Sequence, residues 1–336
     1  MYTAVFKHSG DQEVNMARKI WTVNGPITED QVTGVLIHEH FGFGYAGSQC
    51  IRSGYNKEDC IAEAVKAIEM VKPYGINTVV DATPGDCGRD PLLLKEISDR
   101  TGMHIICITG FYHEAEGTFY FHYRQSQGNG VQEVYDMMRD EVMNGIGDTG
   151  IRAGIIKVST GKDVISDYEN MFLEAAARLS REEDINIITH THGGTMGSEQ
   201  AKRMLALGVD PRRLMIGHLN NCVNIPELLK IFDQGVYGGF DRFGMEYDVV
   251  GTTDNEQYAA VMALLGCGYG KKILFSHDLD VYGRGLWGNP PCHKTSGRTW
   301  SQIFTETLPE LKKRGVPDEQ LSAFLKANAK EFLFAE

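Results

Sequence analysis

Two histidines one residue apart, His38 and His40, stand at the end of the apolar run Gly34-Val-Leu-Ile-His-Glu-His-Phe41. In a strand, residues two apart project from the same face. Two imidazoles therefore leave one strand end side by side, close enough to share a metal ion, for which imidazole is the commonest side-chain ligand. A His-X-His alone is explained as well by two unrelated residues on a polar edge. Other apolar runs add weight. Lys157 stands in Gly154-Ile-Ile-Lys-Val-Ser-Thr-Gly161, His190 in Ile188-Thr-His-Thr-His192, His218 in Met215-Ile-Gly-His-Leu219, and Asp278 in Phe275-Ser-His-Asp278. Each has an ordinary explanation, the aspartate as a helix cap and the histidines as hydrogen-bonded edge residues. Lys157, between Ile156 and Val158, is costly if buried without a partner. The ordinary explanations would all have to hold at once, because the four histidines, the lysine and the aspartate fall at one geometric level.

The elements that set this level are short apolar runs, rich in Val and Ile and flanked by Gly or polar residues. They span Val35–His40, Thr78–Ala82, Ile105–Thr109, Gly154–Val158, Ile187–His190, Leu214–His218, Val236–Phe240 and Ile273–His277. Such runs read as strands buried on both faces. Amphipathic stretches of helical length lie between them: Lys57–Lys72, Pro91–Thr101, Gly130–Asn144, Asp167–Arg181, Gly197–Leu207, Ile225–Phe232 and Asn255–Gly266. Alternating strand and helix implies parallel strands joined by crossovers. Eight such units predict an α/β fold, a closed (β/α)8 TIM barrel over about residues 34–332, with its active site at the C-terminal strand ends. The alternative is a doubly wound open sheet. That fold usually binds its ligand at a Gly-rich turn after the first strand; the count of eight strand–helix units favours the barrel. Arg18–Thr33 reads as a short hairpin before the barrel, and Trp300–Arg314 and Asp318–Phe332 as C-terminal helices separated at Val316-Pro317-Asp318.

The chain has 336 residues, enough for two average domains or one large barrel, and the alternation without linkers favours one domain, 1–336. No apolar run reaches membrane-spanning length, and Met1–Gly10 lacks the basic-then-apolar pattern of a secretory signal. The 7 cysteines are scattered and odd in number, which suggests reduced thiols and a cytoplasmic location. A net charge of −12 argues against nucleic acid or an anionic membrane as partner.

On these residues the chain resembles the phosphotriesterase family of the amidohydrolase superfamily, and most of all its phosphotriesterase-like lactonases. The resemblance runs from about Val23 to Phe332 and rests on His38, His40, Lys157, His190, His218 and Asp278 in order. Further matching pieces are Thr109-Gly110-Phe111-Tyr112, Tyr120-Phe121-His122-Tyr123-Arg124 and Asp241-Arg242-Phe243-Gly244. The resemblance implies two divalent metal ions, zinc first, with iron, manganese or cobalt as alternatives. His38, His40 and Asp278 would hold one ion, and His190 and His218 the other. Lys157, carboxylated by carbon dioxide, would bridge them as an anion, which also removes the cost of burying an ammonium. A hydroxide between ions about 3.5–4 Å apart would attack the substrate, with Asp278 taking the proton. The same resemblance places the hydroxyl of Tyr112 near the attacking water and implies a homodimer.

Arg242, at the end of the seventh run, lines the pocket or forms an ion pair with an acid. His277 and Asp241 are candidates for an outer relay, with His277 more readily structural. His192 shares the direction of His190 and belongs, if anywhere, to the outer shell. His8, His104, His113, His122 and His293 are read as ordinary. The long Gly- and Pro-rich segment Leu279–Gly297 reads as a substrate-selecting loop, with Trp287 as pocket wall. This loop and Met245-Glu246-Tyr247-Asp248 depart from the lactonases and leave the substrate open. The expected reaction is hydrolysis of a small neutral ester, a lactone first, with promiscuous organophosphate triester hydrolysis. The alternatives are an amide or carbamate hydrolase on the same site and a non-catalytic ligand-binding barrel.

Overall fold

The computed structural model describes residues 18–48, 55–245, 251–284 and 297–335. An antiparallel hairpin, β1 (Lys19–Thr22) and β2 (Gly25–Thr28), comes first. Its turn bonds to the sheet through Val23 N–H and the Ile105 carbonyl, 2.9 Å. The sheet then takes β3 (Val35–Phe43), β4 (Thr78–Asp81), β5 (His104–Gly110), β6 (Ile155–Thr160), β7 (Ile187–Thr191), β8 (Leu214–Ile216), β9 (Tyr237–Phe240) and β10 (Ile273–Phe275) in chain order, every neighbour parallel. These are the eight runs read as strands.

A ninth strand, β11 (Asp280–Gly283), follows β10 almost at once and pairs with β3, Asp280 opposite His40. The two ends of the sheet order are thus two pieces of one stretch of chain, and the sheet is strongly curled. Glu39 stitches this seam. It lies between His38 and His40, so its side chain leaves the opposite face. Its Oε1 accepts from the Ser276 hydroxyl (2.8 Å), the His277 N–H (2.8 Å) and His277 Nδ1 (2.9 Å), and its Oε2 from the Leu279 N–H (3.2 Å). A fully buried carboxylate with this many donors is satisfied without a cation.

Helices α1 (Lys57–Val71), α2 (Pro91–Thr101), α3 (Phe119–Ser126), α4 (Gly130–Met143), α5 (Asp167–Glu183), α6 (Gly197–Ala206), α7 (Ile225–Phe232) and α8 (Asp254–Gly266) join the strands. Polar caps start them where the sequence requires. Asn56 accepts from the backbone of Glu58, and Ser166–Glu169 and Thr253–Glu256 form reciprocal capping boxes. One apolar layer lies between sheet and helices, with Met171, Phe172 and Leu179 of α5 in the same cluster as Ile156 and Val158. A second fills the inside of the curl, where Val35, Ile37, Val80, Ile106, Ile155 and Ile188 meet.

Two stretches differ from expectation. Trp300–Arg314 begins with a wide five-residue turn, Ile303–Thr307, before α9 (Leu308–Lys313). Asp318–Phe332 is two helices, α10 (Asp318–Ala323) and α11 (Ala327–Phe334). The break has a cause: the Leu325 carbonyl accepts from Val35 N–H at 2.8 Å and the Phe324 carbonyl from Phe275 N–H at 3.4 Å. Those acceptors serve the sheet, not the helix.

Candidate functional site

The sequence-selected residues converge. His38 and His40 come from β3, Lys157 from β6 and His190 from β7. His218 lies just beyond β8, and Asp278 between β10 and β11. With Tyr112 and Arg242 they line one pocket of about 170 Å³, walled further by Phe43, Tyr45 and Met245. Trp287, Glu246, Asp248 and His293 lie outside the described residues.

Contacts inside the pocket are short. Lys157 Nζ is 2.8 Å from His38 Nε2. Asp278 Oδ1 lies 3.1 Å from His40 Nε2 and 3.4 Å from His38 Nε2, while its Oδ2 accepts from Arg242 Nε at 2.7 Å. The ring of His190 stands 4.5 Å from that of His218. The acid that pairs with Arg242 is therefore Asp278, a member of the site itself. His218 and Asp278 both adopt left-handed backbone, φ 59° and 48°. Such conformations in non-glycine residues cost on the order of 1–3 kcal/mol and concentrate at functional sites. The strands end before these residues, and the turn aims each side chain inward. Lys157 is seated by Gly110 (φ 123°), where a Cβ would fall 1.9 Å from the Lys157 carbonyl oxygen.

Oriented nitrogens make these imidazoles suited to a cation. His218 Nδ1 lies 2.9 Å from Asp241 Oδ1, so it carries the proton and leaves Nε2 with a lone pair. His40 Nδ1 is occupied by the Thr83 hydroxyl at 2.9 Å. His38 Nδ1 is 3.3 Å from Asp241 Oδ2, close but poorly aligned for a hydrogen bond. Asp241 thus touches the far nitrogens of two rings, the placement of an orienting carboxylate behind metal ligands. Donor atoms of His38, His40 and Asp278 lie within 4.8 Å of one another, as do those of His38, His218 and Asp241. The second grouping contains Asp241 where the sequence led us to expect His190. His190 Nε2 is buried and makes no hydrogen bond.

The electrostatics agree with this chemistry. Burial pulls the Lys157 ammonium down to about 8 and His218 down to about 3. Burial, with His218 beside it, pushes His190 well below its ordinary value. Burial works against the charge of Asp278, yet Arg242, His218 and His38 hold its carboxyl well below the usual range. At neutral pH His38, His190 and His218 are neutral imidazoles and Asp278 an ionised carboxylate, the forms that bind metal. Burial opposes the charge of His40, but Asp278 beside it raises this imidazole above its ordinary value.

Tyr112 sets its ring edge-on to His190, centroids 4.8 Å apart. Burial holds its phenol well above the ordinary value, so it is protonated. His277 is engaged by Glu39 and by the Ile303 N–H at 3.4 Å. The residues that sequence reasoning missed are supports: Glu39, Thr83, Asp86 and His113. Glu39 alone left a signal, an acid inside an otherwise apolar strand. Asp280, two residues after Asp278, adds a second carboxylate to the pocket.

The profile of the Phosphotriesterase family matches residues 18–333. The chain is 32% identical to an aryldialkylphosphatase of Saccharolobus solfataricus over 308 residues, covering 88% of this chain and 93% of that protein. It is 25% identical to an N-acetyltaurine hydrolase of Rattus norvegicus over 356 residues, 95% of this chain and 99% of that one. A mutant of a phosphotriesterase-like lactonase from Deinococcus radiodurans superimposes with a TM-score of 0.89 at 38% identity, covering 94% of this chain and 100% of its own.

Proposed function

The chain belongs to the phosphotriesterase family, and from that premise we propose a binuclear metal-dependent hydrolase of small neutral esters, lactones first, with promiscuous action on organophosphate triesters. The observation that carries this is the convergence of His38, His40, Lys157, His190, His218 and Asp278 on one pocket. We take the fold as a closed (β/α)8 barrel forming one domain, on the strength of the Glu39 seam.

In this proposal His38, His40 and Asp278 would hold one divalent ion and His190 and His218 the other, with Lys157, carboxylated, as an anionic ligand available to both. When bound, the ions supply Lewis-acid polarisation of the substrate's acyl or phosphoryl oxygen and acidify water. The chain's own residues prepare and finish the reaction. Burial, by lowering Lys157 to about 8, leaves a useful fraction of free amine near neutral pH. That amine bonds to the carbon of carbon dioxide and releases a proton, so a buried cation becomes an anion. Asp278 takes the proton of the attacking water and delivers it to the leaving oxygen, while Arg242 fixes the far oxygen of its carboxylate. The protonated Tyr112 hydroxyl donates to the substrate. Phe43 and Tyr45 provide apolar wall, and the carboxylate of Asp280 disfavours an anionic substrate.

The similarity to an N-acetyltaurine hydrolase favours an amide or carbamate as the second reading, since the same groups serve either bond. We assign a homodimer, supported by exposed Phe119, Tyr120 and Tyr123 on α3. A cytosolic location is supported by Cys60, Cys87, Cys107, Cys222 and Cys267 all being free thiols. Among the described residues no helix is long and apolar enough to cross a membrane.

The test is elemental analysis of metal-replete protein, followed by hydrolysis assays on lactones, aryl esters, amides and dialkyl aryl phosphates. At least two ions per chain are expected, with lactones turned over fastest. Lys157→Ala is expected to lose metal and activity together. Full activity in that variant would sink the bridge, and a metal-free, inactive wild type would sink the binuclear centre.

A further inference from the structure

The loops after β5 and β7 bring a second group of imidazoles together beside the pocket. The ring of His113 stacks over His190 with centroids 5.6 Å apart and stands 4.8 Å from His192. One donor nitrogen from each of His113, His190 and His192 lies within 4.8 Å of the other two. His113 is only 3% exposed and His190 2%. Neither ring nitrogen of His113 has a hydrogen-bond partner, and neither does His190 Nε2.

This arrangement is unusual for neutral imidazoles. Each ring carries one N–H donor and one lone pair, so adjacent rings can satisfy each other with an N–H···N bond. Here no such bond forms. Buried polar groups are nearly always paired, and a shared cation is the one partner that meets all three lone pairs at once. Negative charge is close: Glu116 Oε1 is 3.7 Å from His113 Nε2, and the other oxygen of Glu116 is buried with no hydrogen bond.

We propose that His113, His190 and His192 form an accessory site for a borderline transition ion such as zinc, nickel or copper(II). Imidazole suits these metals over magnesium or calcium, which prefer oxygen. The site uses one ring nitrogen of His190; only the sharing of that ring rests on the proposed binuclear centre. If both sites fill, His190 gives up its remaining ring proton, so the accessory ion replaces one H⁺ and that proton is released to solvent. Glu116 balances the added charge.

Metal content of the zinc-loaded, desalted full chain tests this. About three ions per chain are expected in the wild type and about two in His113→Asn and His192→Asn. Lys157→Ala should lose the binuclear pair and keep about one accessory ion. Copper(II) added to the zinc-loaded protein should give an electron paramagnetic resonance spectrum with nitrogen hyperfine lines, absent in His192→Asn. A wild type that never exceeds two ions and shows no such spectrum would overturn the accessory site. So would retention of the third ion in both histidine variants. If His113→Asn fails to fold, the partly exposed His192→Asn decides alone. A wild-type ion count below two, with one ion lost in His192→Asn, would instead sink the binuclear centre and support the accessory one.

Discussion

Asp241 shows how much of this site is held from behind. It is fully buried and contacts His218 Nδ1 at 2.9 Å and His38 Nδ1 at 3.3 Å. Burial opposes its charge, but the two imidazoles lower its carboxyl and keep it ionised. Asp241→Asn keeps the size and removes the charge that fixes the His218 tautomer and faces His38 Nδ1. The expected outcome is a loss of metal affinity of about 10–100-fold, read by chelator competition, with the folded circular dichroism spectrum retained. Unchanged affinity would mean that the rings orient themselves. At this scale the sequence was informative about donors, because each stands at the end of an apolar run. It was less informative about supports. Thr83 is an ordinary polar residue past a strand end, and only the curl of the sheet brings it behind an imidazole; Asp241 was legible only as a candidate outer relay. His113 passed as an ordinary histidine because the residues that face it are 77 and 79 positions later in the chain.

The element that carries Tyr112 is the loop after β5, and a loop on the other side holds it. Asp86, in the turn after β4, accepts from the Tyr112 N–H with both oxygens, at 3.1 and 3.3 Å. Beneath them Arg89 pairs with Glu141 of α4 and donates to the Ile108 carbonyl at 2.8 Å. Burial raises the Asp86 carboxyl from 3.8 to about 6. The folded state therefore binds a proton more tightly than the unfolded chain does. That contribution to stability is fully present below about pH 3.8 and is lost as pH rises through about 6. In Asp86→Asn the amide oxygen still accepts from Tyr112 N–H, and the proton linkage is gone. Urea unfolding from pH 4 to 7 should show the wild type losing up to about 3 kcal/mol relative to this variant as pH rises, then levelling off. Parallel stability curves would remove Asp86 as the titrating group. Strand and helix positions were legible from periodicity. α3 was not recognised as a helix, because its Tyr-Phe-His-Tyr run mixes exposed and buried aromatics, with Phe119 81% exposed and Phe121 4%. β11 was hidden because four residues are too few to show a period and its partner, β3, lies about 240 positions earlier in the chain.

Across the whole molecule the pocket sits at one end of the curled sheet and a helical plug at the other. α11 inserts Phe332, Leu333 and Phe334 into the apolar cluster that fills the curl. The ring of Phe332 meets that of Tyr237, at the start of β9, with centroids 5.2 Å apart. Asn186, just before β7, donates to the carbonyls of Phe332 and Leu333 at 2.8 and 3.1 Å, and Asn328 donates to those of Gly270 and Ile273, both at 2.8 Å. Both asparagines are buried, so these bonds fix the plug in one register. The division of labour is physical: strand starts are tied to α11 while strand ends are left to the loops and the chemistry. Eight apolar runs announced the curl, yet nothing in the last helix announced that it would close the far end, since its apolar residues read as an ordinary amphipathic face. Phe332→Ala should therefore separate stability from function. Removing a buried aromatic ring from this plug should cost about 3–5 kcal/mol, read as a lowered urea midpoint. Metal content and KM of the folded fraction should be unchanged, because the cavity opens at the strand starts. A variant that loses its metal at full stability would show instead that the plug transmits strain through the sheet to His38 and His40.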